Sequence, residues 1–529
     1  MEIRVQAIPG IRSGVMFEDP KFFSDLSLPP KFTAMRPQQA QMAERIALSM
    51  LEAKTTVHAA PTGVGKTLAY VAAGRLAAER MVILTATKTL QNQILREFPK
   101  LVVDLRGAGN FDCHDHPGLD CGLSRRLGHH CRECPYQQQI EAAMRAPVVA
   151  TNYAMWFALR KSGVAFPVDL LVMDEAHMVM DMITSHCSVR LSHSELSQLQ
   201  RYEPSPESDN PKQWAEWAVK IEPQALKLLE SSASDPKSAR KAAALHDAVV
   251  RLSELPPTGA IVRRGNSDAA LFASPVWASD YARRWLFGSW KTALVSATIN
   301  KETCYLLGLS PGEFALYDYE SEFPSENGPV FLLPAPVLNH RSEKSDLKAA
   351  MQHALHWIKQ RQDRKGIVHT GSYNRTMQMV EFLRGRVRHH LVWHASGADA
   401  AAAIRNYKLF SGPALLLSPS VGVGHDFPDT EAEFQVVLKA PFPDLSDPVV
   451  AARKENRPVY PQYVMAQNLV QMCGRGLRHA NDRCETLVVD GCALSVFKRR
   501  PGIFPQWFRK RVVQSESVHL LPDPLPKLV

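Results

Sequence analysis

The stretch Val57–Tyr70, VHAAPTGVGKTLAY, limits what this 529-residue chain can fold into more than any other. A β-rich run, TTVHAA, leads into Pro61-Thr62-Gly63-Val64-Gly65-Lys66-Thr67, and LAYVAAGRLAAER follows as a helix-forming run. Strand, glycine loop and helix in this order are what a phosphate-binding loop needs. The glycines let backbone N–H groups approach a polyphosphate, and the helix N-terminus faces its charge. Lys66 is then placed to reach the β- and γ-phosphates of ATP, and Thr67 to ligate Mg²⁺. Ala60 stands where such loops usually carry their first glycine. A chance GKT in a turn would lack the flanking strand and helix.

The other half of such a site is a strand that ends in acids. VDLLVMDEAHMV (Val168–Val179) supplies one. It is expected to deliver Asp174 to Mg²⁺ through water and Glu175 to the attacking water. His177 sits where it would couple the nucleotide to the rest of the chain. LVSATI (Leu294–Ile299) is a further strand followed by small hydroxyl residues. Downstream, QNLVQMCGRGLRHA (Gln467–Ala480) spaces Gln471, Gly474, Arg475 and Arg478 as Q-x-x-G-R-x-x-R. On a helix, Arg475 and Arg478 share one face. They would act as arginine fingers on the γ-phosphate, supplied by a second lobe. Taken alone, a solvated arginine-rich face would be the favoured reading of this helix.

Composition adds bounds. Hydrophobic residues make up 45% and charged residues 22%, a globular balance. The length predicts three or four domains. No apolar run reaches the roughly 18 residues that span a membrane. The N-terminal MEIRVQAIPGIRSG lacks a signal-peptide core. We therefore expect a soluble, cytoplasmic protein without structural disulfides. The net charge of +9 is a small pointer to a polyanionic partner.

The motifs in this order, P-loop, DEAH, SAT and QxxGRxxR, resemble a superfamily 2 helicase. Finer features resemble the XPD/DinG family. MRPQQAQMA (Met35–Ala43) looks like its adenine-reading motif, which implies base contacts by Arg36 and Gln39. ILTATKTLQNQI resembles its motif Ia, VVATNYAMW the segment before DEAH, and LKAPFPDLSDP (Leu438–Pro448) its K-L-P-F-x-x-P-x-D-P run. SVGVGHDFPD keeps Gly424, Asp426 and Phe427 of motif V, but Gly422 and Val423 replace the usual Trp-Glu pair. That substitution puts the glutamate's part in coupling in doubt.

NFDCHDHPGLDCGLSRRLGHHCRECPY (Asn110–Tyr136) lies between motif Ia and DEAH. This is where the family carries an iron–sulfur domain. Cys113, Cys121, Cys131 and Cys134 match the ligand positions in order, on a shorter insert than usual. Four thiolates suit a 4Fe–4S cluster, and also a tetrahedral zinc site. A metal-free remnant is the third alternative. His114, His116, His129 and His130 read as surface residues rather than ligands. The five other cysteines are scattered and read as ordinary buried or free thiols.

The expected fold class is α/β, with two RecA-like motor domains built on doubly wound parallel sheets. Residues 1–30 form an N-terminal extension, 31–300 the first motor domain and 301–529 the second. The first carries a cysteine-rich insertion at 111–139 and a helical, arch-like insertion at 190–265. Trp214 and Trp217 in the arch read as packing residues, with base stacking the alternative. FKRRPGIFPQWFRKRV near the C-terminus reads as a docked terminal helix, with nucleic-acid binding the alternative. Polar loops at strand ends offer Thr370, Ser372, Ser418 and Ser420 for phosphate-backbone contacts, or equally as turn and cap residues. The resemblance adds Thr87 and Lys88 from motif Ia. It implies an ATP- and Mg²⁺-dependent helicase that moves 5′→3′ on single-stranded DNA, here as a monomer. The small insertions and the altered motif V are similar to DinG-like helicases of type IV CRISPR systems, which would bring a guide-RNA complex as partner. A stand-alone repair or R-loop helicase is the alternative. A strand-binding factor with weak ATPase is another, and the intact Lys66, Asp174, Glu175 and Arg475 count against it. A DEAH-box RNA helicase is disfavoured by the cysteine insert and the APFPDLSDP run.

Overall fold

The computed structural model describes residues 26–51, 55–129, 131, 133–265, 269–339, 341–419, 421, 425–478 and 481–527. Most of the N-terminal extension, His130, Ser420 and Gly422 to Gly424 lie outside these described residues.

Two seven-stranded parallel sheets form the frame, as the strand–loop–helix pattern required. The first contains β1 (Thr55–Ala59), β2 (Met81–Thr85), β3 (Val103–Leu105), β4 (Val148–Asn152) and β5 (Leu170–Asp174). A small antiparallel sheet then interrupts it, built from β6 (Val189–Leu191), β7 (Ala260–Arg264) and β8 (Leu271–Pro275). The first sheet resumes with β9 (Lys291–Ser296) and β10 (Phe314–Asp318), in the order β10-β1-β9-β5-β2-β4-β3. Its edge strand β10 therefore comes from beyond residue 300, in chain assigned from sequence to the second motor domain. The short β10 run FALYD carries no signal of which sheet it will join.

The second sheet takes β11 (Val330–Leu332), β12 (Gly366–His369), β13 (His390–Trp393), β14 (Ala414–Ser418), β15 (Phe434–Val437), β16 (Glu485–Val488) and β17 (Val512–Gln514). Their order is β13-β14-β12-β15-β16-β11-β17. Central strands such as LLVMD and ALLLS are buried along their whole length because helices cover both faces. Register then fixes the chemistry. β1 pairs with β9 so that Ala59 opposes Ser296, and β5 pairs with β9 so that Asp174 opposes Val295. The P-loop, the acids and the SAT residues thus emerge side by side at the carboxyl edge of the first sheet, where ligand-binding loops of such sheets collect.

The insertion expected to be arch-like, called the arch below, holds a helical hairpin, Pro211–Ser231 against Pro236–Ser253, standing on the β6–β8–β7 sheet. Trp214 and Trp217 are buried, with indole N–H groups donated to Ser208 O and Glu203 O, so they pack rather than stack on bases. The cysteine segment docks on the same hairpin. Cys113, Leu119 and Leu123 meet Leu229, Ala239 and Ala243. Arg126 pairs with Asp247 at 2.7 Å, and Arg240 Nη2 donates to Gly118 O at 2.8 Å. Near the C-terminus, Phe504, Trp507 and Phe508 are buried beside Phe497, as the docked-terminus reading expects.

Candidate nucleotide cleft between the two sheets

A cleft of about 1190 Å³ separates the sheets, lined by Lys66, Thr67, Asp174 and Glu175 on one wall and by Gln471, Arg475 and Arg478 on the other. Between β1 and the helix Lys66–Ala77 the loop turns on Gly63 (φ 82°) and Gly65 (φ 81°), left-handed positions that only glycine takes without strain. A side chain at either position would also have to displace a neighbouring side chain. A Cβ on Gly63 would lie 2.1 Å from Phe323 Cζ, and one on Gly65 would lie 2.0 Å from Gln39 Nε2. Pro61 and Val64 are buried under the loop, while Thr62, Lys66 and Thr67 keep partial exposure to the cleft. Lys66 Nζ lies 3.4 Å from Pro61 O.

Arg36 and Gln39 cap the helix Pro37–Ser49 with their own backbone and side chains, which aims both side chains at the loop. Arg36 Nη2 donates to Gly63 O at 2.7 Å, and Gln39 Nε2 donates to Gly65 O at 3.2 Å. Arg36 also pairs with Glu322 at 2.8 Å, in the connector between the sheets. Both side chains therefore hydrogen-bond the P-loop backbone directly.

The acids are held unequally. Burial and the neighbouring Glu175 charge push the Asp174 carboxyl up to about 7, against the pull of Lys66. Glu175 is only partly exposed, and His177, Lys66 and Arg478 hold its carboxyl below the usual range despite the desolvation. Glu175 sits at φ 50°, a strained position for a non-glycine residue. His177 Nδ1 lies 3.3 Å from Glu175 Oε2 and 2.8 Å from Ser296 Oγ, and Ser296 Oγ donates to Glu175 Oε2 at 3.4 Å. The sequence marked SAT as small hydroxyl residues but gave Ser296 no role. The missing signal was the strand register.

On the facing wall, the helix Tyr460–Cys473 carries Gln471, whose Nε2 donates to Thr298 Oγ1 at 3.4 Å. The helix ends there. Arg475 lies in the turn after it and Arg478 just beyond that turn, so the two do not share one helical face as expected. Close packing admits only glycine in that turn, since a Cβ on Gly476 would lie 2.4 Å from Cys484 Sγ and 2.8 Å from Ala432 O. Both guanidinium groups still reach the cleft. Arg475 Nη1 donates to His425 O at 2.9 Å, and Arg478 pairs with Asp426. Burial pulls the Arg475 guanidinium down to about 10. The Nε of each arginine is buried without a hydrogen-bond partner among the described residues.

The expected strand contacts separate into two kinds. Lys88 is exposed, with Nζ donated to Asn110 Oδ1 at 2.7 Å, and Thr87 caps its helix by accepting from Leu90 N at 3.2 Å. Thr370 departs from expectation. Its side chain is buried and its hydroxyl bonds Thr376, so it is a strut of the loop. Ser418 is likewise buried, with Oγ 2.9 Å from His394 Nε2. Ser372 caps the helix Tyr373–Leu383 and stays partly exposed.

The four thiols of the insertion stand as two pairs. Cys113 and Cys131 Sγ are 3.0 Å apart, and Cys121 and Cys134 Sγ are 3.9 Å apart. The second distance is close to the edge of about 3.8 Å that 2.3 Å metal–sulfur bonds give a tetrahedron, and the first is shorter. Donor chemistry suits a metal, but no set of three or more metal-binding side chains converges among the described residues. Two rings of the histidines stack on each other, His116 on His129 at 3.9 Å.

Comparison with known proteins agrees with this layout. Residues 36–206 match the DEAD/DEAH box helicase family, and residues 355–511 match the helicase C-terminal domain family. The ATP-dependent DNA helicase DinG of Salmonella typhimurium is 26% identical over a match covering 29% of this chain and 33% of that protein. The chain's match thus spans about a third of the length of its curated relatives. A solved XPD helicase superposes over 91% of this chain and 100% of its own, at a TM-score of 0.59 and 17% identity. S. tokodaii Xpd4 does so over 91% and 100%, at 0.56 and 15%. The chain therefore carries a DEAD/DEAH box helicase domain and a helicase C-terminal domain on an XPD-like two-sheet fold, set around one lined cleft.

Proposed function

We propose that the chain is an ATP-driven helicase that translocates 5′→3′ on single-stranded DNA. The observation that carries the reading is the meeting of P-loop and acids on one wall of the cleft with Arg475 and Arg478 on the other. ATP bound there would place its phosphates on the Gly63–Thr67 backbone and Lys66. Thr67 and Asp174 would hold Mg²⁺, which lowers the carboxyl that burial has raised. Glu175, already ionised and turned by His177 and Ser296, would orient the attacking water. Arg475 and Arg478 would close on the γ-phosphate from the second sheet and link turnover to lobe motion. DNA as the track, and its polarity, rest on the resemblance to DinG.

The cysteine segment is proposed as a 4Fe–4S centre held by Cys113, Cys121, Cys131 and Cys134, with zinc as the alternative. Its role is to stiffen a strand-separating element, since a bound metal orders a small domain. Packing on the arch hairpin already orders part of the segment. The short cysteine insert and single-hairpin arch favour recruitment to a type IV CRISPR guide-RNA complex. A stand-alone repair or R-loop helicase is the second reading.

Unwinding of a duplex with a 5′ overhang, but not a 3′ overhang, tests direction. ATPase stimulation by single-stranded DNA over RNA tests the track. Failure of both, in protein that binds ATP, would leave a strand-binding factor. Co-purification with a type IV guide-RNA complex tests recruitment.

A further inference from the structure

Arg453 belongs to none of the motifs and is among the most buried side chains in the chain, at 2% exposure. It sits on the helix Pro448–Asn456 of the second sheet's lobe, yet most of its partners belong to the first. Arg453 Nε donates to Val276 O at 2.8 Å. Nη1 donates to Asp181 Oδ1 at 2.7 Å and to Tyr460 OH at 2.8 Å. Nη2 donates to Thr184 Oγ1 at 2.7 Å. Trp277 completes the enclosure, with the guanidinium 5.7 Å from its ring and Tyr460 edge-on at 5.9 Å.

These partners report three separate bodies. Asp181 and Thr184 lie on the helix Val179–Cys187, which runs directly from the DEAH sequence. Val276 follows β8, the central strand of the small sheet on which the arch stands. Tyr460 opens the helix that ends at Gly474, just before Arg475. A planar guanidinium can hold all three at once because its donors diverge in a fixed fork, which a lysine ammonium cannot reproduce. Helices transmit displacement along their length, so a shift of the arch base moves Arg453, and Arg453 moves Tyr460 and the finger turn.

We propose that Arg453 is the positioning residue that links the arch base and the DEAH helix to the arginine-finger helix, so that a strand held at the arch speeds ATP turnover. This rests on the proposed helicase reading. Arg453 touches no reacting group. Asp181 is 64% exposed, so its pairing is screened by water and the buried bonds to Val276, Thr184 and Tyr460 carry the link.

The test compares wild type, Arg453→Lys and the milder Thr184→Val in ATPase assays with and without single-stranded DNA. Wild-type stimulation is the control for the helicase reading, and its absence would count against that reading rather than this one. Given stimulation, Arg453→Lys should keep the strand-free rate, the KM for ATP and the strand affinity. Its stimulated kcat should fall about tenfold, within the range typical of coupled sites. Thr184→Val should show a smaller loss of the same kind. Adding it to Arg453→Lys should change nothing further, because both act on one link. Equal loss of strand-free and stimulated turnover would mean a purely structural residue. Full stimulation in Arg453→Lys, or additive losses in the double variant, would overturn the proposal. Should Arg453→Lys not fold, full stimulation in Thr184→Val would overturn it alone.

Discussion

Ser296 Oγ lies 2.8 Å from His177 Nδ1, so a hydroxyl at the end of β9 sets the ring that faces Glu175. Ser296→Ala should leave ATP affinity unchanged and lower kcat about fivefold to tenfold, the effect of one lost orienting hydrogen bond. Steady-state ATPase kinetics check this. A rise in KM with normal kcat would contradict it.

Lys66→Ala should abolish hydrolysis, because its ammonium is the P-loop charge nearest the transferring phosphoryl. The one hydrogen bond Lys66 makes, to Pro61 O at 3.4 Å, is long, so the loss should show in turnover of folded protein. Unwinding by this variant would refute a motor driven from this cleft.

The two arginines should not be equal. Arg475→Ala should lower kcat by about 10³-fold with little change in ATP affinity, as loss of a transition-state finger does. Arg478 is held by Asp426, so Asp426→Asn should free it and weaken Arg478's placement rather than remove its charge. A smaller loss in Asp426→Asn than in Arg475→Ala is expected in single-turnover assays.

Acid should destabilise the first sheet. Burial, with help from Arg45, pulls His58 down to about 3, and burial pulls His186 down to about 4. The unfolded chain takes up protons below about pH 6.5, where the native state withholds them, so the unfolded state gains as pH falls. Stability from these residues is complete above that pH and is lost between about 6.5 and 3 for His58 and between about 6.5 and 4 for His186, by at most about 1.4 kcal/mol per unit per histidine. Melting temperature should drop from pH 7.5 to 5, and a flat profile would argue that the rings are solvated.

Protein purified without oxygen should carry about four irons per chain if the thiols hold a 4Fe–4S cluster, and one zinc if they hold a tetrahedral site. Cys134→Ser should then impair unwinding more than ATP hydrolysis, because the P-loop is built on a different part of the sheet. Metal-free protein that unwinds normally would leave the hairpin contacts of Leu119 and Leu123 as what orders the segment.

The nucleotide site was legible in sequence because its parts are short strand–loop words whose chemistry is local. Gly63, Gly65, Lys66 and Asp174 sit where those words put them. What needed the fold was whatever depends on distant chain: β10 joining the first sheet, the close packing of Gly476 against Cys484, and the burial of Thr370 beside Thr376. Arg453 had no sequence signal at all, since PVVAARKEN reads as a polar surface helix until the first sheet's partners surround it.

Phe323 closes against Gly63 so tightly that even a methyl group there would overlap its ring. Phe323 belongs to the crossing segment between β10 and β11, and Glu322 beside it holds Arg36. The floor of the phosphate loop is therefore supplied by the bridge to the second sheet. A chimera joining one relative's first sheet to another's second should keep Tyr319–Pro329 with the parent of the P-loop. A two-piece version of the chain cut inside that bridge should lose nucleotide binding even if both halves fold.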